Sequence, residues 1–208
     1  MSIKLFLIRH GQSLWNLENR FTGWKDIDLS EQGVREAIEA GKQLRGEPID
    51  IAFTSTLIRA QHTLDLVLQN CGEAGIPIII DKALNERSYG DLEGLNKGDT
   101  AARYGEAQVH IWRRSFSVRP PGGESLEDTY NRVIPYFMHT ILPHMEAAEN
   151  VLIVAHGNSL RALVMFIDNL SQDEILQREI ATGFPLTYTF NRPMIDELRQ
   201  RYGGSTPA

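Results

Sequence analysis

The chain reads as a single α/β domain with a largely parallel central sheet and helices on both faces. Three observations predict it. Four short runs of branched, almost wholly apolar residues have the character of strands covered on both sides. Helix-period patterns lie between those runs, and strands that alternate with helices build a parallel sheet. The third is size and composition: 208 residues, 42% hydrophobic and 23% charged, suffice for one core without disulfides or a structural metal.

The four strands are Ile3–Ile8 (IKLFLI), Ile51–Thr54, Ile76–Ile80 (IPIII) and Val151–Val154 (VLIV), and the more mixed Leu186–Phe190 (LTYTF) suits an edge. Ser30 is fitted to cap a helix, and after it Val34, Ala37, Ile38, Gly41 and Leu44 share one face. A second helix is predicted from near Ser55, with Leu57, Ala60, Leu64, Val67 and Leu68 inward. A third runs from about Glu124 to Met145, bent at Pro135 and Pro143. A fourth follows Asn158 and reaches about Leu170. The stretch 84–123 breaks this rhythm. Its glycines, its Pro-Pro pair and its weak periodicity mark an excursion over the sheet, with short helices at 99–104 and 106–115. Long loops in compact domains are often lids or binding segments. The expected organisation is one domain over 1–208 with a lid or substrate-binding excursion at about 84–123.

Composition narrows the function. A net charge of −6 makes a poor non-specific ligand for nucleic acid, which binds by neutralising phosphates, yet allows a local cationic pocket. Cys71 is the one cysteine, so no intrachain disulfide forms, which fits a reducing compartment. No apolar run approaches the roughly 18 residues of a membrane span, and the first residues lack the pattern of a signal peptide. The expectation is a cytoplasmic protein with neither nucleic acid nor membrane as partner; base rates make a homodimer the default assembly.

The first strand ends in Arg9-His10-Gly11 and the fourth in Ala155-His156-Gly157-Asn158. Two histidines thus stand just past the carboxyl ends of two buried strands, the edge where open α/β sheets bind ligands. Each precedes a glycine, where backbone can approach a ligand closely. If the strands are neighbours, both imidazoles face one pocket. One such histidine alone is more often a packed side chain with a backbone hydrogen bond; two in the same setting, both with arginines, are not. His62, His110, His139 and His144 lack that setting and read as surface or packing residues. Arg9, Arg59 about one turn into the second helix, Lys97 and the pair Arg113–Arg114 suggest a polyanion site, because the guanidinium fork matches phosphate and carboxylate. Glu86, after the third strand at the same sheet edge, is the candidate proton donor. The phosphate-loop pattern GxxxxGK[ST], the nucleophile elbow GxSxG and zinc-ligand spacing are all missing from the sequence, so no metal is expected.

LIRHGQSLWN at 7–16 resembles the signature of the histidine phosphatase superfamily. ENRFTGW at 18–24, DLSEQG at 28–33, TSTLIRAQHT at 54–63, LNERSYGDLEGLNK at 84–97, WRRSF at 112–116, PPGGESL at 120–126, AHGNSLRAL at 155–163 and ATGFPLTYTF at 181–190 resemble the cofactor-dependent phosphoglycerate mutases, in that family's order and over most of the chain. The resemblance implies the mutase fold and a phosphoryl group carried on His10. It implies that Arg9, Arg59 and His156 surround that group and that Glu86 serves as acid and base. Ser13, Asn16, Thr22, Gly23, Tyr89, Lys97, Arg113, Arg114, Gly157 and Asn158 would line the substrate. It also implies 2,3-bisphosphoglycerate as the cofactor that primes His10, small phosphorylated three-carbon acids as partners, and a place in glycolysis and gluconeogenesis. Two departures stand out: only Gly122-Gly123 separates the Pro-Pro pair from Glu-Ser-Leu, and about eighteen residues follow Phe190, where many members carry a longer tail over the site. A phosphatase of the same superfamily is the rival reading. A non-catalytic protein on this fold would be expected to have lost His10, Glu86 or His156.

Overall fold

In the computed structural model, which describes residues 2–73 and 75–204, the chain runs β1 (Ile3–Arg9), α1 (Leu14–Leu17), α2 (Glu31–Gln43), β2 (Ile51–Thr54), α3 (Ile58–Cys71) and β3 (Ile78–Ile80). It continues through α4 (Lys97–Tyr104), α5 (Glu106–Arg114), α6 (Leu126–Tyr136), α7 (Leu142–Glu146), β4 (Val151–Ala155), α8 (Gly157–Ile167), α9 (Gln172–Gln177), β5 (Leu186–Phe190) and α10 (Arg192–Gly204). The sheet order is β3-β2-β4-β1-β5. Only β5 is antiparallel, against β1; β1–β4, β2–β4 and β2–β3 are parallel.

Strand alternation sends successive side chains to opposite faces, and both faces are apolar here. Phe6, Ile8, Ala52, Leu152 and Val154 form one core with Ala40 of α2, Leu44 just after it, and Leu64 and Val67 of α3. Leu5, Leu7, Phe53, Val151 and Ile153 face the other way, onto Val133 of α6, Phe137, and Leu160 and Leu163 of α8. Truncating a side chain such as fully buried Phe53 to alanine costs about 3–5 kcal/mol at a site of this kind.

The excursion carries a small core of its own. Phe21, Leu92, Val109 and Trp112 are buried together, with Tyr89 and Ala101 against them. This cluster fixes α4 and α5 as a unit beside the loop that follows β1. Asn96 caps α4 by accepting from Gly98 and Asp99 N–H.

Several boundaries differ from the sequence reading. The third strand begins at Ile78, after Pro77, and it is an edge: Ile78 and Ile80 are exposed while Ile79 packs inward, so this apolar run is not covered on both faces. The second helix starts at Ile58, because Ser55 and Thr56 are occupied by contacts to His156 and Asn85, and Asp26 accepts from Ile58 N–H at 2.7 Å. The long helix starts after Ser125, which forms a capping box with Asp128. It is relieved by a π turn over Phe137–Ile141 between the two prolines, as proline's missing N–H requires. The fourth helix begins at Gly157, earlier than expected. The residues after Phe190 form α10, whose Ile195 and Leu198 enter the main core. Arg199 of α10 pairs with Glu146 at 2.8 Å. The described part of this segment therefore buttresses α7, and none of it lines the cleft described next.

Candidate active site

Because β1 and β4 are neighbours in parallel register, with Arg9 opposite Ala155, their carboxyl ends deliver His10 and His156 side by side. His10 N–H donates to the Ala155 carbonyl at 3.0 Å, and the two rings lie 4.9 Å apart. The loop after His10 is pressed against the start of α2. A Cβ on Gly11 would lie 2.2 Å from the Gly33 carbonyl oxygen, and one on Gly33 would lie 2.1 Å from that of Gln12. No side chain fits at either position, so the two glycines set how deeply His10 sits.

The tautomer of His10 follows from its partners. Nδ1 lies 2.6 Å from the Gly11 carbonyl, which can only accept, so Nδ1 carries the proton. Nε2 is then a lone pair, approached by Arg59 Nε–H at 3.3 Å. Burial, then the charges of Arg59 and Arg9, hold this imidazole well below its ordinary pKa, which keeps it neutral and nucleophilic. His156 is buried completely and is lowered in the same way by burial, then by Arg59 and His10. Its Nε2 lies 2.7 Å from Ser55 Oγ. That oxygen also accepts from Leu57 N–H; with the hydroxyl proton turned to Nε2, Nδ1 bears the ring's N–H. This Nδ1 is buried and has no hydrogen-bond partner among the described residues.

Arg59 is 1% exposed and its terminal nitrogens are committed, donating to the carbonyls of Lys25 at 2.9 Å and Gly23 at 2.8 Å. The loop is shaped for this. Gly23 has φ +51°, and a Cβ there would strike the Glu93 carboxylate. Glu93 in turn accepts from Trp24 N–H, Tyr89 N–H and Ser88 Oγ, which ties the Arg59 loop to the Glu86 loop. Arg9 donates to the Ile180 carbonyl at 2.9 Å, while its buried Nε has no hydrogen-bond partner among the described residues.

Glu86 stands at the amino end of α8, where its Oε1 accepts from Asn158 N–H at 3.0 Å and from Arg87 N–H at 2.8 Å. A helix amino terminus favours a carboxylate. Its backbone is held from behind by Arg132, which donates to the carbonyls of Ala83, Asn85 and Glu86 and pairs with Glu124. Trp24 Nε1–H adds a bond to the Glu86 carbonyl at 2.5 Å.

Around these groups lies one cleft. It is lined by Arg9, His10, Asn16, Thr22, Gly23, Arg59, Glu86, Tyr89, Lys97, Arg113, Arg114, Gly157 and Asn158, and also by Arg20, Phe21, Arg161, Glu179 and Ile180. Seven of the lining residues are cationic and two are carboxylates, in a chain whose net charge is −6. Burial, then the neighbouring charge of Arg113, lowers the Lys97 ammonium. Burial raises the Tyr89 phenol but Arg87 beside it offsets that, leaving it lowered.

Two expected residues are not part of the cleft lining. Ser13 is fully buried and does not line the cleft; its hydroxyl accepts from Asn16 N–H and caps α1, because a serine just before a helix is drawn to the free backbone donors. His156 is absent from the cleft lining but stands beside His10, its ring 4.9 Å away. Sequence reading missed Arg20, Phe21, Arg161, Glu179, Ile180 and the supports Arg132, Trp24 and Glu93. A signal existed for Arg161, one turn after Gly157 on the same helix face. The others arrive through long-range packing that no local pattern reports. Among the described residues, no group of three or more His, Cys, Asp or Glu side chains is placed to hold a metal ion, and no helix is long and apolar enough to cross a membrane.

Residues 5–191 match the histidine phosphatase superfamily, branch 1. The 2,3-bisphosphoglycerate-dependent phosphoglycerate mutase of Nitrobacter hamburgensis is 60% identical over 189 residues, covering 90% of this chain and 91% of that protein. The mutase of the same description from Rhizobium rhizogenes is 58% identical over 193 residues, 92% of each chain. Among solved structures, a mycobacterial glucosyl-3-phosphoglycerate phosphatase superposes with a TM-score of 0.79 at 25% identity, covering 93% of each chain. A phosphoglycerate mutase of Bacillus anthracis superposes with a TM-score of 0.78 at 20% identity, covering 95% of this chain and 97% of that one, and speaks to the fold alone.

Proposed function

The chain belongs to the histidine phosphatase superfamily, and on that premise we propose that it interconverts 3-phosphoglycerate and 2-phosphoglycerate, the glycolytic and gluconeogenic mutase step, through a phosphoryl group carried on His10. The observation that carries the reading is the His10 tautomer: a neutral imidazole with Nδ1–H spent on Gly11 and the Nε2 lone pair facing a cationic cleft. Identity near 60% to mutases over nine-tenths of the chain supports the substrate.

His10 Nε2 attacks phosphorus in line, and the P–O bond to the acid breaks as the N–P bond forms. Charge spreads over the equatorial oxygens, so catalysis is positioning plus fixed positive charge. Arg59 Nε–H, Arg9 Nε–H and His156 Nδ1–H are the donors for those oxygens; the last two are among the buried nitrogens that have no hydrogen-bond partner among the described residues. With His10 phosphorylated, the Glu86 carboxylate takes the proton of the hydroxyl that receives the group and returns it to the alkoxide that leaves at the next transfer. Between transfers the doubly phosphorylated acid must turn over without escaping. Lys97, Arg113 and Arg114 hold its carboxylate and second phosphoryl group, and the 84–123 excursion keeps water out. Asn16, Thr22, Gly23, Tyr89, Gly157 and Asn158 complete the lining, and Ser13 acts through Asn16 alone.

The cofactor reading is 2,3-bisphosphoglycerate. The cleft fits it: orphaned buried donors surround His10, and separate cations stand ready for a second anionic end. Its chemistry is to supply the first phosphoryl group to His10. No metal enters this scheme. A homodimer is consistent with the exposed Ile78 and Ile80 on edge strand β3.

A phosphatase would give the phosphoryl group of His10 to water. The solved phosphatase shares the fold, so the fold does not separate the two. The test is steady-state conversion of 3- to 2-phosphoglycerate, with phosphate release measured alongside and a chelator present throughout. A mutase forms 2-phosphoglycerate far faster than phosphate and is indifferent to the chelator. Phosphate as the main product would make it a phosphatase, and activity restored by a divalent ion would overturn the metal-free scheme.

A further inference from the structure

The cleft contains a second carboxylate that the reaction does not use. Glu179 lies on the segment between α9 and β5, and the two residues flanking it are laced to cleft arginines. Arg161 Nε donates to the Arg178 carbonyl at 2.9 Å, and Arg9 donates to the Ile180 carbonyl at 2.9 Å. Ile180 is itself buried in the main core, and Gly183 N–H donates to the Arg9 carbonyl at 2.9 Å. Glu179 is thus presented to the cleft from an anchored backbone. Its Oε1 lies 3.2 Å from Arg114 and 3.5 Å from Arg161. Both arginines line the cleft, and the Arg161 side chain is 13% exposed. In a cleft otherwise built to attract anions, Glu179 is an anion supplied by the protein itself.

We propose that Glu179 is a resident anion that the ligand's own carboxylate or phosphate must displace from Arg114 and Arg161, and that it sets the cleft's selectivity between singly and doubly phosphorylated acids. Identifying those acids rests on the function proposed above. The physical ground is charge. A fixed carboxylate repels each ligand in proportion to the ligand's negative charge. It therefore weakens the bisphosphate more than the monophosphates. Arg161 becomes a binding residue in the same account, since displacing Glu179 frees a second guanidinium beside Arg114.

The test compares wild type, Glu179→Gln and Glu179→Asp. Calorimetry measures 3-phosphoglycerate and inorganic sulfate binding to the unphosphorylated protein. Rapid-quench phosphorylation of His10 gives the half-saturating concentration of 2,3-bisphosphoglycerate. Glu179→Gln should tighten sulfate and 3-phosphoglycerate roughly two- to fivefold, the range of a part-exposed charge pair, and lower the bisphosphate concentration by a larger factor. Glu179→Asp, which keeps the charge, should stay near wild type. Unchanged or weaker binding of all three ligands by the glutamine variant would overturn the proposal, since Glu179 would then merely brace its arginines. Equal factors for the mono- and bisphosphate would overturn the selectivity claim. If the bisphosphate fails to phosphorylate even the wild type, the mutase reading falls, and the sulfate arm still decides whether a resident anion is present.

Discussion

The residues around His10 and those around Arg114 line one cleft but are held in opposite ways. His10, Arg59 and His156 are 3%, 1% and 0% exposed, and their nitrogens are fixed by strand ends, backbone carbonyls and a serine hydroxyl. On the other side, the Arg114 side chain is 33% exposed and its partner Glu179 69%. The contrast matches two tasks. Donors that stabilise a transition state act best when they need not reorganise. Groups that admit, hold and release a substrate that turns must instead exchange partners with solvent and ligand. Chemistry is assigned to the rigid set and retention to the adaptable one.

That division is open to attack from the rigid side first. His10→Ala removes the group proposed to carry phosphorus, and transfer should be abolished, with no phosphoenzyme recovered. Wild type should trap an acid-labile, base-stable phosphate, the mark of a phosphoramidate. Full activity in the alanine variant would sink the account. Next in size is Glu86→Gln. The amide can still accept from Asn158 N–H but cannot cycle a proton, so turnover should fall roughly 10²–10⁴-fold with KM nearly intact. A fall in affinity with turnover preserved would make Glu86 a binding residue.

The adaptable side is tested by joining Arg113→Ala with Arg114→Ala. Each lost charge-assisted bond costs about 1.5–3 kcal/mol, one to two powers of ten. The His10 group is untouched, so mutase activity should drop much further than hydrolysis of the phosphoenzyme. A constant ratio of 2-phosphoglycerate formed to phosphate released would show that retention lies elsewhere.

The smallest effect is on stability. His10 and His156 are both held below the ordinary value of 6.5, by burial first and then by Arg59. As pH falls through 6.5 the unfolded chain takes up protons that the native state refuses, so stability should decline there and level off once the native imidazoles also protonate. His10→Gln should make the fall in denaturation midpoint between pH 7 and 5 shallower. An unchanged slope would mean that the cleft does not disfavour the imidazolium.

The rigid set was also the more legible in the sequence. Strand–His–Gly occurs twice, and the position of a strand end in an open sheet says where such a residue must point; the neighbouring pairing of β1 and β4 then brings both rings together. Arg59 could be placed near the site, but its locking onto Gly23 and Lys25 depends on a loop conformation that Gly23 alone hints at. The adaptable set was half legible. Arg113 and Arg114 sit in a recognisable block, whereas Glu179 follows an unremarkable helix and reaches the cleft only because Arg9 and Arg161 hold its backbone there. The edge character of β3 was hidden for a related reason: an apolar run says that a strand is apolar, not that a neighbour covers it.

The central claim is that the group on His10 returns to an acid and not to water, and a chase of the labelled phosphoenzyme tests it most directly. The protein is loaded with radioactive phosphoryl on His10, freed of excess donor, and mixed with unlabelled 3-phosphoglycerate. The account predicts that label leaves His10 within the turnover time and appears in phosphorylated three-carbon acids. Label appearing mainly as inorganic phosphate, at a rate indifferent to 3-phosphoglycerate, would contradict it.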